Sequence, residues 1–216
     1  MTRLAVFDCD GTLVDGQADI CAAMQSAFAA LNLPVPPARD IRRSVGLSLP
    51  QTMLHLAPDA SGETQTALVD EYKAAFRRAR NEGRLAEPLF AGIAPLLDEL
   101  RNDGWLLGVA TGKSDRGLVH CLATHGLSDH FITLQTADRH PSKPHPAMLE
   151  AALAEALALP QDSVMIGDTS FDMQLARAAG VRAIGVAWGY HSVVELLEAG
   201  AELVAETPQE LREILR

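Results

Sequence analysis

The chain has 216 residues, 48% hydrophobic and 21% charged, a composition that fits a folded globular protein and excludes a disordered one. Its net charge of −10 argues against nucleic acid as a partner, and no run approaches the roughly 20 apolar residues that cross a bilayer. Residues 15–88 carry nine acids and eight bases, so almost all the excess negative charge lies outside them. A body this acidic must hold an anionic ligand through local devices such as a metal, a lysine or a helix N-terminus.

In chain order, the apolar run Leu4–Phe7 predicts a first strand. Carboxylates within the first ten residues are unlike a secretory leader, so the expected location is cytoplasmic. The run ends in Asp8-Cys9-Asp10-Gly11-Thr12. Strand alternation puts Asp8 and Asp10 on one side, about 7 Å apart. Two such carboxylates repel and raise one another's pKa unless a cation lies between them. Gly11 lets the backbone turn and present N–H groups to an anion. The plainer reading is a solvated acidic turn. Cys9, Cys21 and Cys121 are an odd, widely spaced set that suggests neither a disulfide framework nor a zinc site, and Cys9 reads as a small buried hydrophobe.

Residues 15–88 predict a helical insertion, with helices at Ala18–Leu31, Asp40–Val45, Leu49–Leu56 and Glu63–Glu82 broken by Pro34, Pro36, Pro37 and Pro58. Pro88 and Gly92 mark the return to a core made of residues 1–14 and 89–216. Strand-length runs follow at Trp105–Ala110, Phe131–Leu134, Val164–Ile166 and Ala183–Ala187. Between them lie helix-length segments at Ser114–His125, His145–Leu157, Ser170–Ala179 and Ser192–Glu198. This alternation predicts an α/β doubly wound parallel sheet with an inserted α-helical cap, and ligands at the carboxyl ends of its strands.

Three further segments carry chemistry. Thr111 and Gly112 end a strand and offer a hydroxyl and an approachable N–H to a phosphoryl oxygen, although such a threonine is also a common helix N-cap. Lys143 sits in HPSKPHP, where prolines could aim one ammonium; an exposed loop lysine is the alternative. In VMIGDTSFD, Asp168 ends a strand and Asp172 follows in the first turn of a helix, where complementing the helix dipole accounts for Asp172 better than for Asp168. Asp8, Asp10, Asp168 and Asp172 converging on one sheet edge point to a hard divalent cation, Mg²⁺. His140 and His145 read as solvated loop residues, and Met24, Met53, Met148 and Met173 as core filler.

The strings DCDGTLVD, Thr111, the lysine of SKPHP and GDTSFDMQLARAAGV occur in this order, with a helical insertion after the first. Together they resemble the haloacid dehalogenase-type hydrolases over almost the whole chain. The resemblance implies a Rossmann-like core and an aspartyl-phosphate formed on Asp8, with Asp10 as general acid and then base. It also implies a phosphate cup of Thr12, Thr111, Gly112 and Lys143. Mg²⁺ would be held by Asp8, the backbone carbonyl of Asp10 and Asp168, with Asp172 acting behind them or through water. Asp10 argues against the dehalogenases proper, which lack an acid there. The stretch GVAWGYHSVVELLEAGAELVAETPQEL resembles the phosphoglycolate phosphatase-like branch, which implies a small phosphomonoester such as 2-phosphoglycolate as substrate. Arg42 and Arg43 in the insertion are then candidates for a substrate carboxylate, against the plainer reading of solvated arginines. Gly112 and Gly16 depart from the family pattern, which often has asparagine and a serine or threonine there. The competing expectations are a phosphosugar mutase of the same fold and a non-catalytic binding protein. The protein is expected to be a monomer or homodimer that binds neither nucleic acid nor membrane.

Overall fold

The computed structural model describes residues 2–216. Six strands form one sheet in the order β3-β2-β1-β4-β5-β6, and every pairing is parallel. They are β1 (Arg3–Phe7), β2 (Trp105–Thr111), β3 (Thr133–Thr136), β4 (Ser163–Gly167), β5 (Arg182–Val186) and β6 (Leu203–Ala205). The strand order reverses between β1 and β4, which makes the crevice beyond their carboxyl ends the topological switch point.

Helices cover both faces. On one side α5 (Ile93–Asn102), α6 (Asp115–Thr124) and α10 (Pro208–Ile214) bury Leu97, Leu118 and Leu211 in one cluster with Ala5 and Phe7 of β1. On the other, α7 (Ala147–Ala156), α8 (Ser170–Ala178) and α9 (Val193–Ala199) bury Met148, Met173 and Leu196 in one cluster with Leu4 and Val6. Alternate residues of β1 thus serve opposite cores, as a strand covered on both faces requires. Among the described residues no helix is long and apolar enough to cross a membrane.

Between β1 and β2 the chain forms α1 (Gln17–Ala30), α2 (Ala38–Arg43), α3 (Leu49–Leu56) and α4 (Gly62–Asn81). These four helices bury their own apolar cluster, with Met24, Phe28, Ile41, Met53 and Leu68 at its centre. The two crossings to the sheet run side by side. Asp15 N donates to Pro88 O at 2.8 Å and Phe90 N to Leu13 O at 3.0 Å. Val14 forms bridges with both Asp10 and Leu89.

Several boundaries correct the sequence reading. β3 begins at Thr133 rather than Phe131, because a run of apolar residues is a poor guide to a strand whose buried members are polar. Thr133 Oγ1 donates to Glu155 Oε2 at 2.5 Å, and Gln135 Nε2 donates to Thr133 Oγ1 at 2.7 Å, so their burial leaves no polar group unsatisfied. Ile132, counted in that run, is 51% exposed. The helices α5 and α10 and the three-residue strand β6 were not anticipated. Cys9 and Cys121 are buried with their sulfurs 4.0 Å apart, both as free thiols.

Candidate active site

The site lies where β1 and β4 end. Asp8 follows β1 directly, and its N–H still donates to Ile166 O of β4 at 2.9 Å, which locks the residue to the sheet. The Asp8 side chain is fully buried. Oδ1 accepts from Cys9 N at 2.6 Å and lies 3.0 Å from Lys143 Nζ, while Oδ2 is buried without any partner. A carboxylate oxygen in that condition is costly unless something outside the chain meets it.

Lys143 reaches in from the loop before α7. Its side chain is fully enclosed, and Nζ also lies 2.6 Å from Asp172 Oδ1. Asp172 is the third residue of α8. Its Oδ2 accepts from Thr169 N at 3.0 Å and Thr169 Oγ1 at 2.7 Å, a reciprocal cap that fixes where α8 begins. Asp168, at the end of β4, accepts from Thr12 Oγ1 at 2.8 Å and from Tyr190 N at 2.9 Å. Gly11, at φ +88°, and Gly189 press against it so closely that a Cβ on either would lie 2.2 Å from an Asp168 side-chain atom. Glycine is required at both by space alone, and at Gly11 by backbone angle as well.

Oxygens of Asp8, Asp168 and Asp172 come within 4.8 Å of one another. Burial raises the Asp8 pKa to about 7, opposed by Lys143 and reinforced by Asp172. Burial, then Asp172 and Asp8, push Asp168 well above the usual carboxylate range. Burial works to lower the pKa of Lys143, but Asp172 and Asp8 outweigh it and hold the ammonium charged. Three acids thus face one cation in a closed space. The shortage of positive charge and the all-oxygen donor set fit a hard divalent ion.

Asp10 lies apart from this cluster. Its carboxylate Oδ1 accepts from Lys113 Nζ at 2.7 Å, and the same ammonium lies 2.6 Å from Glu87 Oε1, at the second crossing. The Asp10 side chain therefore turns toward the insertion and away from the three clustered acids. Lys113 and Glu87 were missed by sequence reasoning, although Lys113 stands directly after Thr111-Gly112. Tyr190 and Trp188 were also missed; Trp188 Nε1 donates to Thr12 O at 3.0 Å and steadies the turn.

Asp8, Asp10, Thr111, Gly112 and Lys113 form the floor of a cavity of about 480 Å³ roofed by the insertion. Thr12 is not on its wall, because the Thr12 hydroxyl is fully buried and spent on Asp168. That hydroxyl is therefore not free for a phosphate cup. Arg42 and Arg43 lie away from the cavity as well. The single buried residue of α2 is Ile41, and the two arginines after it point elsewhere. Arg42 Nη1 donates to Gln17 Oε1 at 2.7 Å and Arg43 pairs with Glu195 of α9, so neither reaches the cavity. His191 adds a second tie on that side. Its Nδ1 accepts from Ser170 N at 3.1 Å, which leaves Nε2 to donate to Arg43 O at 3.2 Å.

Comparison with known proteins agrees with this architecture. A family model described as haloacid dehalogenase-like hydrolase matches residues 5–186. Probable phosphatase IndB of Dickeya dadantii is 36% identical over 98% of this chain and 92% of its own length. Tyrosine-protein kinase PtkA of Mycobacterium tuberculosis is 32% identical over 99% of this chain and 72% of its own. Phosphoglycolate phosphatase of Vibrio parahaemolyticus is 25% identical over 99% and 96%. Among solved structures, a protein described as a predicted phosphatase from Clostridium acetobutylicum superposes with a TM-score of 0.89 at 25% identity, covering 100% of this chain and 98% of its own. The chain belongs to the haloacid dehalogenase-like hydrolase family, on the side of its phosphatases.

Proposed function

We propose that the protein is a Mg²⁺-dependent phosphomonoester hydrolase in which Asp8 attacks phosphorus. The observation that carries this reading is the unpartnered, fully buried Asp8 Oδ2 at the floor of the cavity, beside an ammonium and two further acids. In the reaction, Oδ2 forms a bond to phosphorus as the ester P–O bond breaks, and the departing oxygen takes a proton from Asp10. Asp10, now ionised, removes a proton from a water that attacks the phosphorus, which frees phosphate and returns Asp8 as carboxylate. Lys143, charged and held 3.0 Å from Asp8, offsets the negative charge gathered on the phosphoryl oxygens. The Thr111 hydroxyl and the Gly112 N–H stand at the cavity floor to meet those oxygens. Asp8, Asp168 and the Asp10 carbonyl would hold Mg²⁺, which supplies further positive charge to the transferring group. Asp172 backs that set, because both its oxygens are already engaged by Lys143 and Thr169.

The relative named phosphoglycolate phosphatase puts 2-phosphoglycolate first among the esters to be assayed. The test is phosphate release from a panel of small phosphomonoesters, with and without Mg²⁺, beside Asp8→Asn. The variant should fold normally and lose activity by about three powers of ten or more. A tenth of wild-type turnover in Asp8→Asn would remove Asp8 from the role of nucleophile.

A further inference from the structure

The roof of the cavity has a chemistry that a bare phosphate ester does not use. On α4, Lys73, Arg77 and Arg80 fall at i, i+4 and i+7, on one face of the helix, and all three line the cavity. They span about 10 Å along the helix. None is within salt-bridge distance of a carboxylate of the described residues. Lys73 and Arg77 are exposed at the rim, whereas Arg80 is half-buried and its Nε lies enclosed without an acceptor. A buried N–H left without a partner costs free energy, and an incoming oxygen would relieve that cost. Other arginines of this chain are held by an acid, as Arg43 is by Glu195 and Arg139 by Asp115.

Acids on the same walls do not cancel this charge. Glu87 is occupied by Lys113, and Asp138 accepts from Asp115 N at 2.8 Å; outside the catalytic floor this leaves Asp70, which lies on α4 itself three residues before Lys73. The walls also carry apolar and aromatic side chains, Ile20, Met24, Leu47, Tyr72 and Phe76 among them. The volume of about 480 Å³ falls in the range of pockets that enclose ligands of some size, and a two-carbon ester would leave most of it to water.

We infer that the substrate is a phosphomonoester bearing a second anionic group, carboxylate or phosphate, separated from the reacting phosphate by an apolar or aromatic body, and that Lys73, Arg77 and Arg80 bind that second anion. The inference rests on the phosphatase reading and narrows its substrate class. Arginine suits the role because its planar fork meets a carboxylate or phosphate in two parallel hydrogen bonds.

The experiment compares kcat/KM for para-carboxyphenyl phosphate and phenyl phosphate in the wild type, Arg80→Gln and Arg77→Gln, with ethyl phosphate and phosphoglycolate as the short pair. The wild type should favour the carboxylated aryl ester by about tenfold or more, and each variant should bring that ratio toward one. The ratio is the readout because impaired folding or chemistry lowers both esters alike. The short pair should discriminate less than the long pair. Equal rates on both aryl esters, or a ratio that neither variant changes, would overturn the second-anion site. If the wild type hydrolyses none of the four esters, the phosphatase reading fails by itself. Calorimetric affinities for para-carboxyphenylphosphonate and phenylphosphonate then decide the anion site without turnover: a preference for the first that Arg80→Gln removes upholds it, and equal affinity sinks it.

Discussion

Gly112→Ala tests the seating of the helical insertion over the site. A Cβ built on Gly112 would lie 2.4 Å from Leu47 O, 2.8 Å from Gly46 O and 2.9 Å from Leu47 C. These are backbone atoms of the loop between α2 and α3, with no rotamer that can step aside. Ordinary contact begins near 3.4 Å, so the loop has to retreat by about 1 Å. Gly112 itself carries no left-handed backbone angle, so alanine brings no conformational strain of its own. The cheapest response is a slight rotation of the insertion on its two crossings, which limits the stability loss to about 1–2 kcal/mol, or a few degrees in Tm. The same displacement lifts the roof from the cavity floor, and a misplacement of about 1 Å can cost on the order of a hundredfold in rate. Gly112→Ala should therefore lower kcat/KM by about tenfold to a hundredfold while thermal melting moves little. Gly112→Asn, with a longer side chain at the same place, should lose at least as much. A Gly112→Ala enzyme within twofold of wild type would mean that turnover does not use the seated position of the insertion, and the steric argument would fall.

Other outcomes follow from the same geometry. Lys143→Met leaves Asp8 and Asp172 buried without their shared cation; it should cost about 3 kcal/mol or more in urea unfolding of the metal-free protein and cut turnover severely, and a loss under about 1 kcal/mol would contradict the enclosure of the pair. Mg²⁺ at about a hundred times its Kd should stabilise the wild type by about 2.7 kcal/mol, and Asp168→Asn should abolish that gain. Indifference of wild-type melting to Mg²⁺ or EDTA would refute the metal assignment. Glu195 is held down to about 2 by the Ser192 N–H, the Ser192 hydroxyl and Arg43. Its folded-state pKa is depressed, so its contribution is full above the ordinary value of 4.5 and is lost as pH falls through about 2. The Tm difference between wild type and Glu195→Gln should accordingly shrink across that window, and a constant difference would exclude the linkage.

Much of this was legible because motif spacing in a parallel α/β sheet dictates position. Residues that directly follow β1 and β4 have nowhere to go but the switch-point crevice, so Asp8 and Asp168 could be put together from the sequence, and the helix that begins at Ser170 brings Asp172 with them. Lys143 arrives from a loop, and only its prolines hinted that it was aimed. Facing directions on short helices were not legible. In α2, six residues with one buried position cannot reveal by periodicity which way Arg42 and Arg43 turn, and a long-range acid such as Glu195, 152 positions from Arg43, has no local signature. The partner of Asp10 was hidden for a similar reason: Lys113 and Glu87 meet only because the second crossing returns beside β2. Polar strands such as β3 defeat any reading built on apolar runs.

The paired crossings have a mechanical result. Val14 is bridged on one side to Leu89 and on the other to Asp10, so the two strands of the hinge and the loop that carries Asp10 are tied together by backbone hydrogen bonds. Glu87, at the foot of the returning strand, shares Lys113 with Asp10 and adds a side-chain tie to the same unit. In the proposed mechanism Asp10 is the proton donor, so any shift of the insertion relative to the sheet would be passed to that carboxyl group, while Asp8 is pinned by its own backbone to β4.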